Sequence, residues 1–156
     1  ESKERLSEKI DTFSDSNPLS KFIEKTKEVY PGELFDRIRY IAKKADMSAE
    51  QLGLDTRTVA LLKALVETSQ FSPALDELRE DLRRASRDRA RFATEMKNLL
   101  ERHGYSHKSD NKHVRLEPQE GYFGLDNITL AKTPGEGRGL ENARKQIERT
   151  LGISYM

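Results

Sequence analysis

The chain has 156 residues, enough for one ordinary domain or two small ones. Hydrophobic and charged residues each make up 35%, which predicts elongated helices with solvated faces rather than one thick core. A formal net charge of +1 excludes a bulk electrostatic pull on nucleic acid or anionic membrane, and the lack of cysteine excludes disulfides, a thiolate nucleophile and cysteine-held metal.

In chain order, Leu6, Ile10 and Phe13 are spaced for a short amphipathic helix that ends in "SDSNP". Asn17-Pro18 then reads as N-cap and first helical residue. Leu19, Phe22, Ile23, Thr26 and Val29 stripe the next helix, which "YPG" stops. Leu34, Phe35, Ile38, Ile41 and Ala42 stripe another. Ser48 with Gln51 three residues later fits a capping box. "AEQLGLDTRTV" (49–59) has the alanine, glycine and valine spacing of a helix-turn-helix, but the helix before its glycine is barely a turn and a half. Ordinary capping and core explain it better. Val59, Leu62, Leu65 and Val66 line a further helix, and "SQFSP" (69–73) is the clearest boundary.

Past that boundary Leu75, Leu78, Leu82, Ala85, Arg89, Phe92, Met96 and Leu99 step by three and four. This predicts one long helix over 71–103 with an a/d seam, packed on a partner helix in cis or in trans. Its solvated side carries Arg79, Arg83, Arg84, Arg87 and Arg91. Glu80, Asp81 and Asp88 are close enough to favour a mixed-charge surface over a phosphate-facing stripe.

The period changes after "HGY" (103–105), where glycine follows the helix end. In "HKSDNKHVRLEP", Lys112, Val114 and Leu116 alternate with His113 and Arg115, a strand pattern. "PQEGYFGLDN" is rich in turn residues, "ITLAK" (128–132) is a second strand, and "TPGEGRG" (133–139) is a loop. Leu140, Ala143, Ile147 and Leu151 return to helical period. The expected fold class is α+β: a helical region over 1–70, the long helix, and a small α-β-β(-β)-α unit over 92–156 that shares the long helix's end.

The end of the chain resembles the HicA toxin family, small proteins of double-stranded-RNA-binding-like fold. "KNLLERHGY" (97–105) is similar to the family's first helix and its glycine-aromatic step. "NKHVRLEP" (111–118) is similar to its histidine-bearing strand, and "ITLAKTPGEGRGLENARKQIERTLGIS" (128–154) to its closing strand, loop and helix. The resemblance covers about the last 60 residues and implies an RNA-directed domain in which His113 is the catalytic position. The chain departs from the family in having Asp110-Asn111-Lys112 before the histidine, a longer "QEGYFGLDN" connection, and a helical extension.

An imidazole titrates near neutral pH and can move a proton at a ribose 2′-hydroxyl, or simply hydrogen-bond a phosphate. The leading expectation is nucleic-acid binding, RNA rather than DNA, with Lys112, Arg115 and Lys132 meeting phosphates beside His113 from the sheet. Arg138 and Arg144 would meet them from the loop and last helix. The first alternative is a metal-independent ribonuclease using His113. The second is a helical interaction module in which Leu75, Leu78, Leu82, Ala85, Phe92 and Met96 bind a partner helix or a second copy.

Tyr105, Tyr122 and Phe123 are candidates for stacking on bases, though loop anchoring is the commoner role. "GEGRG" lacks the lysine and hydroxyl of a nucleotide-triphosphate loop, and His103, His107, Asp110 and His113 match no zinc spacing, so no cofactor and no metal is expected. No apolar run approaches the roughly 18–20 residues of a membrane span, so no membrane partner is expected. With no signal-peptide core and no cysteine, a cytoplasmic location is expected. Because the chain begins at Glu1 rather than Met, it is expected to be part of a larger prokaryotic protein acting in defence or stress.

Overall fold

The computed structural model describes residues 18–68 and 70–156. The helix expected around Leu6, Ile10 and Phe13, and the Asn17 cap, lie outside the described residues. The order is α1 (Pro18–Lys25), α2 (Glu33–Met47), α3 (Ala49–Leu52), α4 (Thr56–Glu67), α5 (Pro73–Ala85), α6 (Phe92–Arg102), β1 (Tyr105–Asp110), β2 (His113–Pro118), β3 (Ile128–Ala131) and α7 (Gly139–Leu151). The architecture is therefore α+β, a run of helices followed by an antiparallel sheet of order β1-β2-β3 and a closing helix. No helix among the described residues is long and apolar enough to cross a membrane.

The long helix expected over 71–103 is two helices, α5 and α6, separated by a turn at 86–91. Local side-chain bonds break it. Ser86 donates its hydroxyl to the Leu82 and Arg83 carbonyls, and Asp88 accepts from the Ala90 amide. Arg89, the polar residue of the apolar series, sits in this turn and donates to the Gly135 carbonyl at 3.1 Å. The seam is satisfied in cis: Leu75, Leu78, Leu82, Ala85, Phe92 and Met96 are all buried in the chain's own core, so it is not an open surface for a partner helix. Leu→Ala changes in such a core cost roughly 2–5 kcal/mol. The arginine side of α5 is laced by i,i+3 pairs, Arg83 with Glu80 and Arg84 with Asp81, and is a mixed-charge surface.

The strand expected from the "HKSDNKHVRLEP" alternation is instead a hairpin, β1 and β2, folded at Asn111-Lys112. Lys112 thus lies in the turn. A register shift between His107 and Ser109 breaks the alternation in β1. Val114, Leu116, Ile128 and Leu130 bury the inner face, on which α6 packs against β1 and β2 and α7 against β3. His113, Arg115 and Thr129 alternate to the exposed outer face.

The core does not stop at "SQFSP". Val29 and Tyr30 insert into the same cluster as Leu75 through Ile153. Ser72 caps α5 by accepting from the Ala74 amide, with Pro73 at the first helical position. The capping box expected at Ser48 is not formed, and α3, at four residues, is too short for a helix-turn-helix support helix. The α2 stripe also departs from expectation: Ala42 is buried, but Phe35 (50% exposed) and Ile41 (64%) face outward.

Candidate nucleic-acid interface

The sheet's outer face is built by strand alternation. Directly opposed residues share a face, so Ser109, Arg115 and Thr129 form one row across the three strands, and His113 stands beside Ala131 in the next. Arg115 and His113 are two residues apart on the central strand and point the same way. Lys112 follows at the hairpin tip. The side chains of Lys112, His113 and Arg115 form no hydrogen bond or ion pair among the described residues, and all three residues are exposed. Glu117, on the same face, is partnered by Lys108 at 3.8 Å.

The other expected contacts are held elsewhere. Lys132 leaves β3 on the inner side, where its ammonium meets the Asp110 carboxylate at 3.0 Å and the Asp110 carbonyl at 3.2 Å. That hydrogen bond holds the Asp110 carboxyl below the usual carboxylate range. Lys132 therefore fastens the end of β1 to the end of β3. Arg144 is half-buried on α7 with Glu148 at 3.5 Å. On the same helix the Glu141 carboxyl is also held below its ordinary range, chiefly by its bond to Lys145. Arg138 holds the N-cap position of α7, its carbonyl accepting from the Asn142 amide, and its exposed side chain has no hydrogen bond or ion pair among the described residues.

The six expected residues thus divide: Lys112, His113 and Arg115 share the hairpin end and outer face, Arg138 stands free at α7, and Lys132 and Arg144 are neutralised by acids. Asp110, the partner of Lys132, was not among the expected contacts. Its signal in the sequence is weak, because nothing local links the end of β1 to the residue after β3.

The histidines do not converge. His103 Nδ1 donates to the Val29 carbonyl at 2.7 Å and His107 Nε2 to the Ser109 carbonyl at 3.0 Å. No three His, Cys, Asp or Glu side chains gather for a metal among the described residues. Of the aromatic candidates, Tyr105 is fully buried, donates to the Asp126 carbonyl at 2.8 Å and cannot reach a base. Burial raises its phenol above the ordinary range. Tyr122 is half-buried, and Phe123 is exposed.

Set against known proteins, the chain has no matching family model, curated relative or solved structure.

Proposed function

We propose that the α6-β1-β2-β3-α7 unit binds RNA across the outer face of its sheet. The observation that carries this reading is the contrast in charge pairing. Lys108, Lys132, Arg144 and Lys145 each have an acidic partner, whereas Lys112, Arg115 and the His113 imidazole cluster unpaired at one end of an exposed face. Arg115 lies in a row with two hydroxyls, Ser109 and Thr129, a set that suits phosphate oxygens and ribose 2′-hydroxyls. That pairing with the sugar favours RNA over DNA. The resemblance of 97–154 to HicA toxins supports the same ligand class.

The local patch is small and the net charge only +1, so affinity rests on few phosphates and is salt-limited. Titrating labelled single-stranded RNA at several salt concentrations tests this. Lys112→Ala with Arg115→Ala should weaken binding about tenfold or more at low salt and lower the salt slope by about 1.4, two phosphates at roughly 0.7 each. An unchanged slope would remove these residues from the interface.

A second reading follows from His113 itself. It is exposed, unpaired and on the same face as Arg115, the arrangement of a proton-transferring imidazole beside a phosphate-holding cation. RNA shortened by wild type in EDTA, and left whole by His113→Ala, would make the domain a ribonuclease. RNA bound and intact in both would leave it a binding domain.

A further inference from the structure

The sheet has two edges, β1 and β3, and they differ. β1 is guarded. Its register slips between His107 and Ser109, and Lys108 stands at the slip with Glu117 as its partner. Irregularity and charge are common means of keeping an edge from pairing. β3 has neither. Its residues, Ile-Thr-Leu-Ala, carry no charge and no proline, and its ladder with β2 runs from Ile128 to Ala131 without a shift. On an edge strand, alternate N–H and C=O groups point away from the sheet. Among the described residues, no backbone hydrogen bond from outside the sheet reaches 128–131.

The surface beside this edge is neutral too. A groove of ≈ 400 Å³ has β3 on one side and α7 on the other. Ala143, Gln146 and Thr150 form its α7 side, spaced by three and four. They make an uncharged stripe on a helix that elsewhere carries Glu141, Arg144, Lys145, Glu148 and Arg149. In a chain with 35% charged residues, an uncharged strand beside an uncharged helix stripe has the composition of an interface centre.

The residues flanking β3 select the occupant. The stretch Asp126-Asn127-Ile128-Thr129-Leu130-Ala131-Lys132 is complementary to its own reverse about Thr129. Antiparallel pairing with a second copy in that register sets Thr129 opposite Thr129, Ile128 opposite Leu130, Asn127 opposite Ala131 and Asp126 opposite Lys132. Apolar residues then meet on the inner face and threonines on the outer one. Opposite charges meet at each end, and the two-fold axis makes that contact twice. Asp126 is exposed, and its carboxylate has no hydrogen bond or ion pair among the described residues. Lys132 is bonded to Asp110 but keeps 45% of its side chain exposed. Moving the axis to Leu130 would set Ile128 against Lys132 and lose the charge match.

We infer that two copies of this chain pair antiparallel through β3, forming a six-stranded sheet with an α7 from each copy beside the junction. The inference is independent of the RNA reading. It carries the row of Ser109, Arg115 and Thr129 across the axis, with the two Arg115 residues about 14 Å apart at three strand spacings. The paired segment is short, so the dimer belongs to the weak, concentration-dependent class.

Sedimentation equilibrium of the full chain from about 1 to 500 µM tests this. The mass should rise from 17.9 kDa toward twice that value. Asp126→Lys sets lysine against Lys132 at both ends and should weaken dimerisation at least about tenfold. Its circular dichroism should match wild type, because the native carboxylate holds nothing within the chain. Lys132→Glu sets glutamate against Asp126 and should weaken dimerisation likewise. An equimolar mixture of the two variants restores both opposite-charge contacts and should recover a dimer of one copy of each. A wild-type chain that stays at 17.9 kDa throughout would overturn the inference. So would a dimer that Asp126→Lys leaves intact, or a mixture of the two variants that remains monomeric.

Discussion

Lys132 and Lys112 are two lysines close together in space with opposite fates. Lys132 is consumed by Asp110, and Lys112, at the tip of the hairpin, is not. The pair makes the hairpin's end sensitive to acid. The Asp110 carboxyl is depressed by the Lys132 hydrogen bond, so its folded pKa lies below the ordinary 3.8. The stabilisation is present at pH above that ordinary value and is lost as pH falls through the folded one. Both groups are solvent-exposed, so the effect is local rather than global. On acidification the Asn111 and Lys112 amides should exchange faster than the rest of the sheet. Asp110→Asn should show that faster exchange already at neutral pH and lose the acid step. Hydrogen exchange followed by NMR measures both, and an acid step that persists in Asp110→Asn would assign it to another group.

At the scale of elements, the turn from α6 into β1 is the most constrained joint. Gly104 holds φ +101°, and an added Cβ would press on the Tyr122 ring. Gly104→Ala should therefore cost about 2 kcal/mol or more, from the left-handed backbone and a displaced ring. For a chain of this size that lowers the melting temperature by about 4–8 °C, read by circular dichroism. A melt within 1 °C of wild type would show that the joint relaxes freely. This joint was legible as a helix end because glycine is the residue that reaches such a conformation. The break between α5 and α6 was not. Ala85 and Phe92 are seven apart, a full heptad step, so the turn between them leaves the apolar phase intact. Only Ser86 and Asp88, bonding to nearby backbone, mark it. The strand β1 was hidden for a different reason, its register shift cancelling the alternation. The shared face of His113 and Arg115 followed from period two alone. The pairing of Lys132 with Asp110 depends on a tertiary meeting point that no local spacing encodes.

For the whole molecule, the question is what joins the N-terminal helices to the rest of the core. The answer is a buried polar clamp rather than apolar contact alone. Tyr30 donates to Asp36 at 2.9 Å, and Asp36 also accepts from the Ser72 amide at 3.0 Å. Glu33 accepts from the Val29 amide and pairs with Arg37, which donates onward to the Leu151 carbonyl at 2.6 Å. Arg79 closes the chain's end by donating to the Ile153 and Met156 carbonyls. Asp36 and Glu33 are buried, so each bond lost removes compensation from a desolvated carboxylate. Burial and the bond to Asp36 push the Tyr30 phenol well above its ordinary range, so it stays a donor throughout neutral pH. Tyr30→Phe keeps the ring in the core and removes only that donor. It should cost about 1–3 kcal/mol in urea unfolding, while the proposed RNA binding, read well below the unfolding midpoint, should match wild type because the hairpin's free cations take no part in the clamp. Because Tyr30 shares one core with α5, α6 and the sheet, probes at Tyr122 and on α5 should report one coincident transition in both proteins. Two separated transitions in wild type would mean that the helices and the sheet unfold independently, and that the clamp joins two units rather than completing one.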